Sequence, residues 1–193
     1  MAVSERPAAG GIHMLYSGFG MATYTKKTKQ KQDPGIAAGN NRAPAGSTRN
    51  YCFGCGGDNP EGLGLKFAFD EERNSFVCRL KLSRRHTGPP GHAHGGIIAT
   101  ILDEAMGKAN RITQVTAVTQ AMTVEYRKLV PLGKPLIAEG RQRSSSGRVH
   151  VNVAEVRNLE GEILARSEGT FIAIDPQKMF SKHMKRSDGW GAR

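Results

Sequence analysis

One stretch constrains the fold more than any other. His94-Gly95-Gly96 followed by IIATILDEAMGKA (97–109) is the only long helical candidate in the chain, and what surrounds it reads as strand. At ~100° per residue, Ile98, Ile101, Leu102, Ala105 and Ala109 fall on one face, the face expected to pack on a sheet. SFVCRLKL (75–82) alternates apolar and polar residues as a half-buried strand does. VTQAMTVEYRKLV (118–130), PLIAEGRQR (135–143), RVHVNVAEV (148–156) and EILARSEGTFIAI (162–174) read as four more strands, and RNLEGE (157–162) as a turn. Connections this short predict antiparallel neighbours. A single helix covers one face of a twisted sheet by lying across its concave side. The expectation is therefore α+β, an antiparallel sheet wrapped around one long helix.

The formal charge of +11 suggests a nucleic-acid binder until it is located along the chain. Residues 1–50 and 176–193 carry nine of the eleven charges, which leaves the middle nearly neutral. The first segment is rich in Lys, Gly, Asn and Pro with little to bury, so 1–50 is expected to be a disordered basic segment. The folded domain is placed at 51–175 and a basic tail at 176–193. No basic residues alternate with aromatics on a regular element, so no nucleic-acid partner is expected. No run approaches the ~20 apolar residues of a membrane span, and no secretory leader is expected. Three cysteines, Cys52, Cys55 and Cys78, make no disulfide framework, which predicts a soluble cytoplasmic chain.

The helix places two carboxylates side by side. Glu104 stands one turn before Lys108, and a solvated i,i+4 ion pair explains it. Asp103 has no charge partner at i±3 or i±4 and lies between Ala99 and Gly107, small residues that let a ligand or another backbone approach. At the helix start, Gly95 and Gly96 lack a Cβ, so a ligand can reach the N–H groups of a first turn that carries unpaired donors and the positive end of the helix dipole. Such a site suits a carbonyl oxygen that gains negative charge during reaction.

These residues resemble the hotdog-fold acyl-CoA thioesterases of the phenylacetate-pathway and thioesterase-superfamily type. HAHGGIIATILDEAMG (92–107) is similar to their His-Gly-Gly…Asp helix, TQAMTVEYRKLVPLGKPL (119–136) to the strand that follows, and CFGCGGDNPEGLGLKF (52–67) to the entry segment of one bacterial branch. The resemblance implies a five- or six-stranded antiparallel hotdog sheet around the helix, and a side-by-side homodimer or dimer of dimers with active sites at the interface. It implies hydrolysis of acyl-CoA thioesters to free acid and CoA. Asp103 would be the base or nucleophile. The backbone at Gly95 and Gly96 would polarise the carbonyl, Thr119 from the partner subunit would position water, and His94 would orient the acyl group or hold the turn. Several relatives carry an Asn where this chain has Gly88, so any such help is missing or comes from Thr87 or His92.

A thioester carbonyl is a good electrophile with a good leaving group, so one carboxylate and aimed N–H donors suffice, and no metal or cofactor is expected. Cys52-x-x-Cys55 resembles half a zinc site, but closure needs further ligands. Cys78 with one of His86, His92 or His94 would be needed, and nothing in the spacing asks for it. Arg141, Arg143 and Arg148, near a Ser/Gly turn, are candidates for the CoA phosphates. The alternative reading is a non-catalytic acyl-CoA-binding or sensing protein on the same fold.

Overall fold

The structure, a computed structural model, describes residues 49–184, with side chains to residue 180. The basic segment 1–50 lies outside the described residues except for its last two. Strand β1 (Ala68–Asp70) and β2 (Ser75–Lys81) precede helix α1 (Gly95–Ala109). Then come β3 (Ala117–Tyr126), β4 (Pro135–Ser146), β5 (Val149–Arg157), β6 (Ile163–Ala173) and α2 (Pro176–Met184). Helix α2 occupies the start of the stretch read from sequence as a tail. No helix among the described residues is long and apolar enough to cross a membrane.

All six strands form one antiparallel sheet in the order β1-β2-β4-β5-β6-β3, wrapped around α1 as a hotdog fold. Here the structure departs from one expectation: β3 and β4 are consecutive but not neighbours, because β3 pairs with β6 at the far edge. Residues 127–134 carry the chain across. Arg127 and Lys128 N–H bond Leu164 C=O, Val130 C=O accepts from Ala93, and Gly133 N–H reaches Leu82 C=O. Eight residues extend to ~26 Å at ~3.3 Å each, more than the ~14 Å of three strand spacings, so a short link suffices to cross. Strands β4, β5 and β6 pair in sequence order, β2 pairs with β4, and Gly161 takes the positive φ (87°) of the β5–β6 turn.

The helix is held by burial. Ile98, Ile101, Leu102, Ala105, Met106 and Ala109 are all buried, and α1 packs against β2 through β6. Fifteen residues of helix are marginal alone in water. Burying Ile98, Ile101, Leu102 and Met106 contributes roughly 6–12 kcal/mol before entropy, at about 1.5–3 kcal/mol each. Close approach needs small residues beneath it. A Cβ at Gly140 in β4 would lie 2.0 Å from Ala105 O, so glycine there sets how closely the helix sits on the sheet. At the helix C-terminal end, buried Asn152 of β5 donates to Met106 O (2.9 Å) and to Asn110 Oδ1 (2.7 Å). The first of these bonds satisfies one of the carbonyls that a helix end otherwise leaves unpaired.

Candidate active site

The turn before α1 is tied down by backbone bonds from His94 N–H to His86 O, Gly88 N–H to His92 O and Ala93 N–H to Val130 O. His94 is the N-cap, extended at φ −66° and ψ 138°, and its Nδ1 accepts the Gly96 N–H at 3.0 Å. Because Nδ1 accepts, the proton of the neutral imidazole sits on Nε2. The structure thereby refines the expectation for the glycine pair. The Gly96 N–H is spent on the cap, whereas the Gly95 N–H has no partner among the described residues. Tyr126 at the end of β3 donates its hydroxyl to Gly95 O at 3.0 Å and braces the same turn. Gly88 admits no side chain, since a Cβ there would lie 2.7 Å from the His94 Cα. Thr87 donates to Arg84 O, and His92 Nδ1 pairs with Pro90 O.

Asp103 lies eight residues past Gly95, on the arc expected from the sequence. Its Oδ1 accepts a 2.7 Å hydrogen bond from Thr119 Oγ1. Both belong to one chain, which corrects the placement of Thr119 on a partner subunit: β3 runs beside β6 on the side where Asp103 emerges. A register shift between Thr119 and Ala121 puts a bulge immediately after the threonine, and bulges re-aim side chains in this way. Burial pushes the half-buried Asp103 carboxyl above its ordinary value. The Thr119 bond works against that rise, and neighbouring Glu104 adds to it. Asp103 and Thr119 line a cleft of about 420 Å³ with Gly107, Arg111, Val118 and Phe171. A Cβ at Gly107 would meet nothing, so the small residue keeps this side of the helix open.

At 1.5 Å of rise per residue the Gly95 N–H and Asp103 are ~12 Å apart along α1. One carbonyl cannot be polarised by the first and attacked from the second within a single chain. Arg141, Arg143 and Arg148 do not line the cleft. Arg141 is exposed on β4, Arg143 pairs with Glu168, and Arg148 Nε donates to Ala173 O at 3.0 Å. Arg111, unnoticed in the sequence because it follows the helix proper, is the exposed cation that the cleft has beside Lys108.

Glu104 is not a solvated ion pair. Its side chain and that of Lys108, 3.7 Å apart, are only 19% and 18% exposed. The entry loop covers them: Cys52 Sγ donates to Glu104 Oε1 at 3.2 Å, and Lys108 Nζ donates to Cys55 Sγ at 3.0 Å. Burial pushes the Cys55 thiol up to about 11, with Lys108 opposing and Glu104 reinforcing. Cys78, by contrast, is buried in β2.

The thioesterase superfamily model matches residues 90–165, which include the His-Gly-Gly turn, Asp103 and Thr119. Over that stretch the chain is similar to the thioesterase superfamily. Acyl-coenzyme A thioesterase THEM4 of Xenopus laevis is 26% identical over 119 residues, 60% of this chain and 54% of its own length. Its Bos taurus counterpart is 28% identical over 123 residues, covering 61% and 50%. The chain thus spans about half the length of the curated relatives it matches. Among solved structures, a thioesterase superfamily protein superposes with TM-score 0.58 at 28% identity, covering 61% of this chain and 60% of that one. A variant of the phenylacetic acid degradation protein PaaI of Thermus thermophilus does so with TM-score 0.52 at 25% identity, covering 58% and 95%. The matched stretch holds the central helix and the edge strand β3, the two elements that carry Asp103 and Thr119.

Proposed function

We propose that this chain hydrolyses acyl-CoA thioesters, with each site built from Asp103 and Thr119 of one copy and the Gly95 N–H of a second. The observation that carries this is the hydrogen bond from exposed Thr119 to half-buried Asp103, both opening onto the cleft. Thr119 donates a hydrogen bond to Asp103 Oδ1 and keeps lone pairs for a water, and Oδ2 of the carboxylate is the oxygen left to take that water's proton. As the water oxygen bonds to the thioester carbon, negative charge moves to the carbonyl oxygen, where the Gly95 N–H and the helix end favour it. Collapse breaks the C–S bond, and the CoA thiolate departs with the proton held by Asp103.

The ~12 Å between Gly95 and Asp103 along one helix calls for a second copy. Strand β3 offers the surface: it is an edge of ten residues, largely exposed and carrying a single acid, Glu125. Unpaired edges of that length are covered in stable proteins, and a two-fold axis across β3 would pair it with itself. Residues 51–175 are the unit that does this work, flanked by the basic segments. Arg111 at the cleft is the first candidate for CoA phosphate, ahead of Arg141, Arg143 and Arg148.

The deciding assay follows free thiol release from short, long and aromatic acyl-CoAs by wild type and by Gly95→Pro. Proline is tolerated at the first helical position and removes only the N–H. Turnover in wild type, reduced at least ~100-fold in the variant, supports the reading. Tight acyl-CoA binding without turnover would make this protein a binder instead.

A further inference from the structure

The best-formed cluster outside the proposed reaction joins the entry loop to the helix. Cys52 Sγ, Cys55 Sγ and a Glu104 carboxylate oxygen all lie within 4.8 Å of one another. We propose that these three side chains bind a zinc-class divalent cation that fastens the 50–58 loop to α1 beside Asp103, a role that goes beyond thioester hydrolysis.

Three observations support it. The first is loop architecture. Gly56 N–H bonds Cys52 O (2.8 Å), Cys52 N–H bonds Asn50 Oδ1 (3.1 Å), and Asp58 N–H bonds Asn50 O (3.1 Å), winding Cys-x-x-Cys-Gly into a tight knuckle. A Cβ at Gly56 would lie 2.5 Å from Cys52 O and Asn50 O, so only glycine permits this winding. A Cβ at Gly54 would lie 2.3 Å from Glu104 Cγ, so a second glycine lets the glutamate enter between the cysteines. The second is spacing. Tetrahedral zinc with Zn–S near 2.3 Å sets its ligand atoms ~3.7 Å apart, and Cys52 Sγ already stands 3.2 Å from Glu104 Oε1. Small rotamer adjustments close the remainder.

The third is charge. Two thiolates and one carboxylate carry three negative charges, and a divalent cation together with the Lys108 ammonium cancels them. Lys108 is placed for that part, 3.0 Å from Cys55 Sγ and 3.7 Å from Glu104 Oε2, as an outer hydrogen-bond donor to a ligating sulfur. Two sulfurs with one carboxylate favour zinc over magnesium or calcium. Three protein ligands leave one coordination position, and Cys55 and Glu104 both line the cleft. Sequence spacing concealed the site, because closure comes from a helix residue some fifty positions away rather than from another Cys or His.

The test is a cobalt(II) titration of the full chain after chelation under reducing conditions. It predicts a near-ultraviolet sulfur-to-cobalt charge-transfer band saturating at one cobalt per chain and displaced by zinc. Cys52→Ser and Cys55→Ser each weaken binding by more than ~100-fold, and Glu104→Gln by at least ~10-fold. Absence of the band in wild type overturns the proposal, independently of whether any variant folds. So does a band that persists in the double cysteine variant, or an affinity indifferent to Glu104→Gln.

Discussion

Replacing Asp103 with asparagine separates catalysis from stability. Asparagine keeps the shape and the Oδ1 that accepts from Thr119, while removing the negative charge and the capacity to take a proton. General-base assistance contributes about 10²–10⁴ in rate, ~2.7–5.4 kcal/mol of barrier, and kcat should fall by that factor with KM little changed. Stability should move the other way. Burial and Glu104 raise the Asp103 carboxyl pKa in the fold, so folding favours its protonated form. Its contribution is fully present below the unfolded value near 3.8 and is lost as pH rises through the raised folded value. At pH 7 the ionised carboxylate therefore costs stability, and Asp103→Asn should melt at or above the wild-type temperature. Steady-state thiol release and thermal unfolding at pH 7 measure both. A variant within threefold of wild-type turnover would refute the assignment of Asp103, as would one that melts well below the parent.

Further outcomes follow from other contacts. Thr119→Ala removes the bond that favours the Asp103 carboxylate, so the acidic limb of the kcat/KM profile should move to higher pH. Gly140→Ala would push a Cβ into the backbone of α1 and should destabilise by about 3 kcal/mol in denaturant melts. Glu139 is 5% exposed and bonded to Arg157 at 2.6 Å. Burial pushes its carboxyl up, but Arg157 and Arg73 outweigh that and hold it below the ordinary value. Its contribution is present above the unfolded pKa near 4.5 and lost as pH falls through the depressed folded one. Glu139→Gln leaves Arg157 with Glu155 as its remaining carboxylate partner and should cost about 1.5–3 kcal/mol at pH 7, less in acid. Arg111→Ala should raise KM for acyl-CoA about tenfold with kcat unchanged, if it contacts phosphate.

Much of the fold was legible because one helical period stands out against several short strand-like runs. The buried face of Ile98, Ile101, Leu102 and Ala105 followed directly from that period. The β3–β4 crossing was not legible: short links usually join neighbours, and only the backbone bonds of residues 127–134 show that this one spans the sheet end. At the site, Asp103 stood out because its helix neighbours are small. The assignment of the Gly96 N–H to His94 was hidden, since capping depends on a rotamer rather than a residue type. Glu104 misled for a related reason. Its i,i+4 partner is real, but the Cys52–Cys55 loop that buries the pair lies far away in sequence. Tyr126 and the bulge after Thr119 were likewise invisible, being consequences of strand register.

The central claim is that one active site spans two copies, and subunit complementation tests it most directly. Asp103→Asn and Gly95→Pro chains, each inactive alone, are mixed under conditions that exchange subunits. A shared site leaves one intact centre in each mixed dimer, so activity should return to about one quarter of wild type. No recovery despite demonstrated exchange would place both groups in a single chain and contradict the account.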